Sequence, residues 1–134
     1  MFIDASALCA VLLGEHDHAV LDLHIAQTAG ALTSPIAVWE TVRALIREQG
    51  GEVDDALADV ERYLALSEVR IVQIPAQAHR LALEAFSRFG KGRHPAALNM
   101  GDCFAYACAR SYEVPLLFKG ADFPQTDIAS ALTR

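Results

Sequence analysis

Four short apolar runs, MFI (1–3), ALT (31–33), VRIVQI (69–74) and PLLF (115–118), are spaced along the chain with helical patterns in each interval. This alternation constrains the fold more than any other feature. Antiparallel neighbours can be joined by a two-residue turn, whereas strands separated by helices return to the same edge and lie parallel. The intervening segments carry their own boundary signals. SALCAVLLG (6–14) reads as a helix, and HDHAVLDLHIAQTA (16–29) as an amphipathic one with Val20, Leu21, His24 and Ile25 near one face. Ser34 before Pro35 marks an N-cap and first helical position, and that helix runs to Gly50 and Gly51. Residues 53–67 and 77–89 form further amphipathic helices, the second ended by Gly90. Another helix opens at Asp102 and is apolar all round over 103–109, which places it deep against the sheet. A short final strand is expected near Ile128. The expected fold class is α/β, a three-layer α/β/α sandwich with a central, mostly parallel sheet. With no repeat, linker or low-complexity tract, the 134 residues read as a single domain, 1–134.

Folds of this kind bind ligands beyond the carboxyl ends of their strands. Asp4 directly follows MFI, and Asp122 lies four residues beyond PLLF in KGADF. Helices run antiparallel to the strands they connect, so the N-terminus of the Asp102 helix faces the same edge. Glu40, in the second turn of the helix that starts at Ser34, belongs there too. Each acid alone has an ordinary explanation, Asp102 as a helix cap and the strand-end Asp residues as turn formers. Four on one rim repel one another and raise each other's pKa unless a cation intervenes. Hard oxygen ligands without Cys or His point to Mg²⁺ or Mn²⁺, and the chemistry such a centre serves most often is phosphodiester hydrolysis. Trp39, which ends the apolar run IAVW within a helix, reads as a packing residue. His16 and His18, two apart on a helix, point to different faces and read as surface residues.

The net charge of −6 disfavours a polyanionic partner, but it is unevenly spread. Residues 52–68 carry Glu52, Asp54, Asp55, Asp59, Glu61 and Glu68 against Arg62, while residues 76–95 carry Arg80, Arg88, Lys91 and Arg93 against Glu84. The second stretch is a local basic face suited to a phosphate backbone, with a solvated helix face as the plainer alternative. An apolar share of 53% suggests surface reserved for a protein partner. The longest uncharged run, IAQTAGALTSPIAVW (25–39), is broken by polar residues and is shorter than the ~20 apolar residues a membrane span needs. MFIDAS has an early acid and no basic region, unlike a signal peptide. Three cysteines with no CxxC pair suit a reducing compartment, so a cytoplasmic location is expected.

Four blocks in order carry a resemblance: FIDASAL (2–8), WETVRAL (39–45), FGKGRHPAALNMGDCFAYA (89–107) and LLFKGADFPQTDI (116–128). Through them the chain resembles the PIN-domain ribonucleases and, more narrowly, the VapC toxins of bacterial toxin–antitoxin systems. The third block is the most specific. The resemblance implies a metal-dependent endoribonuclease, with Asp4, Glu40 and Asp102 matching the first three acids of the metal site and Asp122 the fourth, variable one. Many relatives carry a second Asp or Asn where this chain has Ala121. Ser6 matches the hydroxyl residue that supports the site, and it can also cap the first helix. Asp127 reads as a supporting or turn residue rather than a ligand. The implied reaction uses Mg²⁺- or Mn²⁺-activated water and leaves a 5′-phosphate. Lys91, Arg93 and His94 suit an RNA-facing loop, with Lys119 on the same rim; Arg93 also fits a structural ion pair and His94 a loop-ordering role. Implied partners are RNA, a cognate antitoxin whose C-terminal segment covers the site, and a second copy in a homodimer. The helices 16–29 and 35–49 are candidates for the antitoxin groove. Alternatives are a PIN-fold nuclease of RNA maturation or DNA, a non-catalytic RNA-binding domain, and a receiver-type signalling domain. Lys119 after LLF favours the last, but VRIVQIP ends without the acid that fold requires.

Overall fold

The computed structural model describes residues 1–132. Its sheet contains β1 (Phe2–Ile3), β2 (Leu32–Thr33), β3 (Arg70–Ile71) and β4 (Leu116–Leu117) in the order β3-β2-β1-β4, with every pairing parallel. Two helices fill each crossover: α1 (Ala5–Leu12) and α2 (His18–Gln27), then α3 (Pro35–Gln49) and α4 (Val53–Leu66), then α5 (Ala78–Phe89) and α6 (Met100–Ser111). Phe2 lies opposite both Leu32 and Leu116. The buried Thr33 hydroxyl adds a link at the carboxyl end of the central pair, donating to the Ile3 carbonyl at 2.9 Å.

Side chains alternate across a sheet, and the alternation here builds three layers. Phe2, Leu32 and Leu116 pack with Ala82, Ala85 and Tyr106 of α5 and α6. Ile3 and Leu117 pack on the opposite face with Leu8, Leu21, Val42 and Leu64 of α1 to α4. The expected α/β/α sandwich is what forms. Helix α3 begins as its sequence predicts, with Ser34 Oγ accepting the Ala37 amide at 3.2 Å, and it ends at Gly50, whose φ of 72° disfavours a side chain.

Three expectations need correction. VRIVQI pairs only over Arg70–Ile71, because β3 is an edge strand whose one neighbour, β2, is itself two residues long; Val72 and Ile74 instead pack beneath α5 and α6. The final strand near Ile128 is reduced to one bridge, Leu116 to Ser130. On α2 only Leu21 and Ile25 are buried, and Val20 points outward. Cys103 and Cys108 are buried free thiols, and His16 is almost wholly in solvent. Among the described residues no helix is long and apolar enough to cross a membrane.

Candidate active site

Asp4 leaves β1 at its carboxyl end, and its amide donates to the Leu117 carbonyl of β4 at 2.9 Å. It is the N-cap of α1: its Oδ2 accepts the Ser6 amide at 3.0 Å. Ser6 therefore does not cap this helix. Its hydroxyl accepts the Lys119 amide at 3.0 Å and ties α1 to the chain beyond β4. Asp4 is only 3% exposed, and burial raises its carboxyl above the usual range despite the opposing hydrogen bonds from Ser6 and Ala5.

The start of α6 also differs from expectation. The helix begins at Met100, Asn99 is the cap, and Asp102 is the third helical residue of a capping box. Asn99 Oδ1 accepts the Asp102 amide at 2.9 Å, and Asp102 Oδ2 accepts the Asn99 amide at 3.0 Å. One carboxylate oxygen is thus fixed by the helix start.

Glu40 arrives from α3 and lies directly over Gly101. A methyl group on Gly101 would overlap all three atoms of the Glu40 carboxyl group. Gly101 is therefore a site residue that sequence reasoning missed. Its one signal was a glycine in the first turn of a helix, where nothing else about LNMGDC requires one. The neighbouring Trp39 is 56% exposed, contrary to its reading as a packing residue. Helix α3 buries the row Val38, Thr41, Val42 and Leu45, which leaves position 39 outside beside Arg43, whose guanidinium lies 4.9 Å from the indole centre.

Asp122 precedes a 3₁₀ turn, Phe123–Gln125, and its side chain makes no cap there. It is exposed while Phe123 behind it is buried. Charge links Glu40 to Asp4 and Asp102, and Asp102 to Asp4 and Asp122. Glu40 is pushed up to about 7, chiefly by burial and then by the charges of Asp4 and Asp102. Asp102 is pushed up to about 6, again chiefly by burial and against the bond from the Asn99 amide, with smaller repulsion from Asp4 and Asp122. Burial likewise takes the Cys9 thiol up to about 11, so it stays protonated and is no nucleophile.

Among the described residues no three Asp, Glu, His or Cys side chains stand grouped as an ion would hold them. The chemistry of the four acids fits a hard divalent cation all the same: the donors are carboxylate oxygens, and at Glu40 and Asp102 the repulsion of neighbouring acids adds to the larger effect of burial.

The basic candidates occupy different settings. Lys91 lines an apolar groove of about 440 Å³ with Phe86, Asn99, Met100 and Cys103, beside the start of α6. The Arg93 guanidinium lies 5.4 Å from the centre of the Phe86 ring. His94 Nδ1 accepts the Ala96 amide at 3.0 Å, and its ring meets Phe89 edge-on, so it orders the loop. Lys119 Nζ pairs with Glu15 at 3.0 Å in the wall of a larger cleft of about 800 Å³ that also includes Ser6, Cys9 and Arg47. None of the four acids lines either cleft.

The PIN domain family matches residues 1–129. This chain belongs to the PIN-domain family. Within that family, it is 38% identical over 133 residues to Ribonuclease VapC of Mycolicibacterium smegmatis, covering 97% of this chain and 98% of the relative. It is 34% identical over 139 residues to a VapC ribonuclease of Rhizobium meliloti, covering 95% and 98%. This PIN domain is thus a member of the VapC ribonuclease group, and the receiver-type alternative is overturned. The crystal structure of Mycobacterium tuberculosis VapC20, described as a Sarcin-Ricin loop cleaving toxin, superposes with a TM-score of 0.74 over 96% of this chain and 95% of that one. At 20% identity that likeness speaks to the fold alone.

Proposed function

We propose that this chain is a VapC-type endoribonuclease, a single domain over 1–134, that acts as the toxin of a toxin–antitoxin pair in the cytoplasm. What supports the reading most is the match of VapC ribonucleases along the chain, beside the charges of Asp4 and Asp102 acting on Glu40 and those of Asp4 and Asp122 acting on Asp102. These acids are the residues assigned to hold Mg²⁺ or Mn²⁺. A bound divalent cation supplies Lewis acidity toward the scissile phosphate and acidifies the attacking water.

The chain supplies the rest. Asp4 is locked by its cap bond and by β4, so it presents a fixed carboxylate. The Asn99 bond leaves Asp102 one oxygen free for the rim. Without a cation, Glu40 holds its proton up to near neutral pH; with one, it is charged. Lys91, Arg93, His94 and Lys119 are assigned to the RNA backbone, Lys119 after it exchanges Glu15 for phosphate. Trp39, Leu83, Phe86 and Met100 leave apolar surface exposed, which supports protein partners: a second copy and a cognate antitoxin.

The test is incubation of purified protein with structured RNAs and DNAs of the same sequence, in Mg²⁺, Mn²⁺ or EDTA, with product ends mapped. RNA cut internally in metal, with 5′-phosphate ends and intact DNA, is expected. Cutting that persists in EDTA, or RNA left whole in both metals, overturns the reading. Within it, Gly101→Ala is expected to displace the Glu40 carboxyl and slow cleavage by about 100-fold, the scale of an ångström-sized misplacement at a reacting centre. Circular dichroism checks that α6 persists, since alanine favours a helix more than glycine does.

A further inference from the structure

The chain between β4 and Ser130 is an excursion whose only regular element is the turn Phe123–Gln125, and among the described residues the Asp122 side chain on it makes no hydrogen bond. What places Asp122 is therefore whatever holds the excursion. One anchor is apolar: Phe123 is buried and packs 5.3 Å from the Phe118 ring. The second is a polar cluster at Asp127. The hydroxyl of Tyr106 donates to Asp127 Oδ1 at 2.7 Å, and Arg88 donates to Oδ2 at 3.0 Å. Arg110 donates to the Tyr106 oxygen at 3.0 Å and lies 3.8 Å from Asp127 Oδ2.

Tyr106 is fully buried in α6, one helical turn beyond Asp102 on the same face. The helix that delivers Asp102 to the rim thus grips the strand of chain that delivers Asp122. We propose that Asp127 is a positioning residue: bound by Tyr106, Arg88 and Arg110, it fixes the excursion to α6 and so sets where Asp122 stands relative to Asp102. The proposal rests on the reading of Asp122 as a metal ligand. Lys119, held by Ser6 and Glu15, ties down the near end of the excursion, and the Asp127 cluster fixes its far side to α6.

The experiment measures Mn²⁺ binding to the full chain by electron paramagnetic resonance of the free ion, alongside melting temperature and the Mn²⁺ dependence of RNA cleavage. The variants are Tyr106→Phe, Asp127→Asn, Asp127→Ala and Asp122→Ala, and the double variant of Tyr106→Phe with Asp122→Ala. Tyr106→Phe removes a single oxygen from a packed ring, so it carries the test if Asp127→Ala unfolds. Tyr106→Phe is expected to weaken Mn²⁺ binding about fivefold, with the loss in the Mn²⁺ concentration for half-maximal cleavage rather than in the rate at saturating Mn²⁺. Asp127→Asn, which keeps an acceptor for Tyr106, falls between Tyr106→Phe and Asp127→Ala. In the Asp122→Ala background, Tyr106→Phe has no further effect on Mn²⁺ binding, because the latch acts through Asp122. Unchanged Mn²⁺ binding in Tyr106→Phe, or effects that simply add in the double variant, overturn the positioning role and leave a structural one. Unchanged binding in Asp122→Ala overturns the ligand assignment instead, and the proposal with it.

Discussion

Asp102→Asn removes RNA cleavage by about 10³-fold or more and at the same time raises the melting temperature of the metal-free protein at pH 8. The two signs follow from one cause. A cation at the rim stabilises charge on the reacting phosphate by several kcal/mol, and about 1.4 kcal/mol corresponds to each tenfold in rate. Losing one of its carboxylates forfeits a large part of that. The same carboxylate, in the absence of a cation, is repelled by Asp4 and Asp122 and poorly hydrated. Asparagine keeps an oxygen that accepts the Asn99 amide, so the capping box and the start of α6 survive. Asp4→Asn is expected to behave alike, since an amide oxygen still accepts the Ser6 amide while the most deeply buried charge disappears. Cleavage rates and melting curves of both variants are the check. A variant that melts lower and is inactive only because it unfolds would place these residues in the scaffold; one that folds and cuts normally would move the chemistry off this rim.

Much of this arrangement is legible in the chain, and the misses have physical causes. MFI and PLLF become neighbouring parallel strands, and Ser34–Pro35 and Gly50 bound α3 as written, because those signals act within a few residues. VRIVQI overstates β3 because pairing length is set by a partner strand elsewhere in the chain. Asp4 takes the capping role that Ser6 was also expected to fill, and the Ser6 hydroxyl holds the Lys119 amide instead, since either side chain satisfies a cap and only the distant chain decides. Asp102 opens its helix from the third position rather than the first, a boundary shift of the size sequence reading ordinarily leaves. Trp39 was misplaced because preceding apolar residues say little about which side of a helix faces the core. Gly101 and Asp127 are the instructive cases. Both are defined by a contact from another element, Glu40 over the glycine and Tyr106 on the aspartate, and neither leaves a periodic trace in the chain.

Metal affinity and fold stability are expected to run in opposite directions with pH. An acid whose pKa is raised by folding keeps its proton in the folded state after the unfolded chain has lost it. Its contribution to stability is therefore fully present below about pH 4, the unfolded carboxylate range, and is lost as pH rises through the folded values. For Asp102 and Glu40 those values are about 6 and about 7, so the metal-free protein should melt lower at pH 8 than at pH 5 on their account. A cation requires both groups charged and must displace their protons. Its apparent affinity should change only about twofold from pH 8 to pH 7, fall about tenfold to pH 6 as Glu40 protonates, and fall about 50-fold more to pH 5 as Asp102 joins it. Saturating Mn²⁺ should then raise the melting temperature strongly at pH 8 and hardly at pH 5, while EDTA abolishes cleavage throughout. Mn²⁺ titrations and melting curves across this range measure both quantities on the same sample. An affinity independent of pH would mean that the groups holding the ion are already charged when it arrives, whereas burial makes Asp4, Glu40 and Asp102 all favour their protonated forms as pH falls.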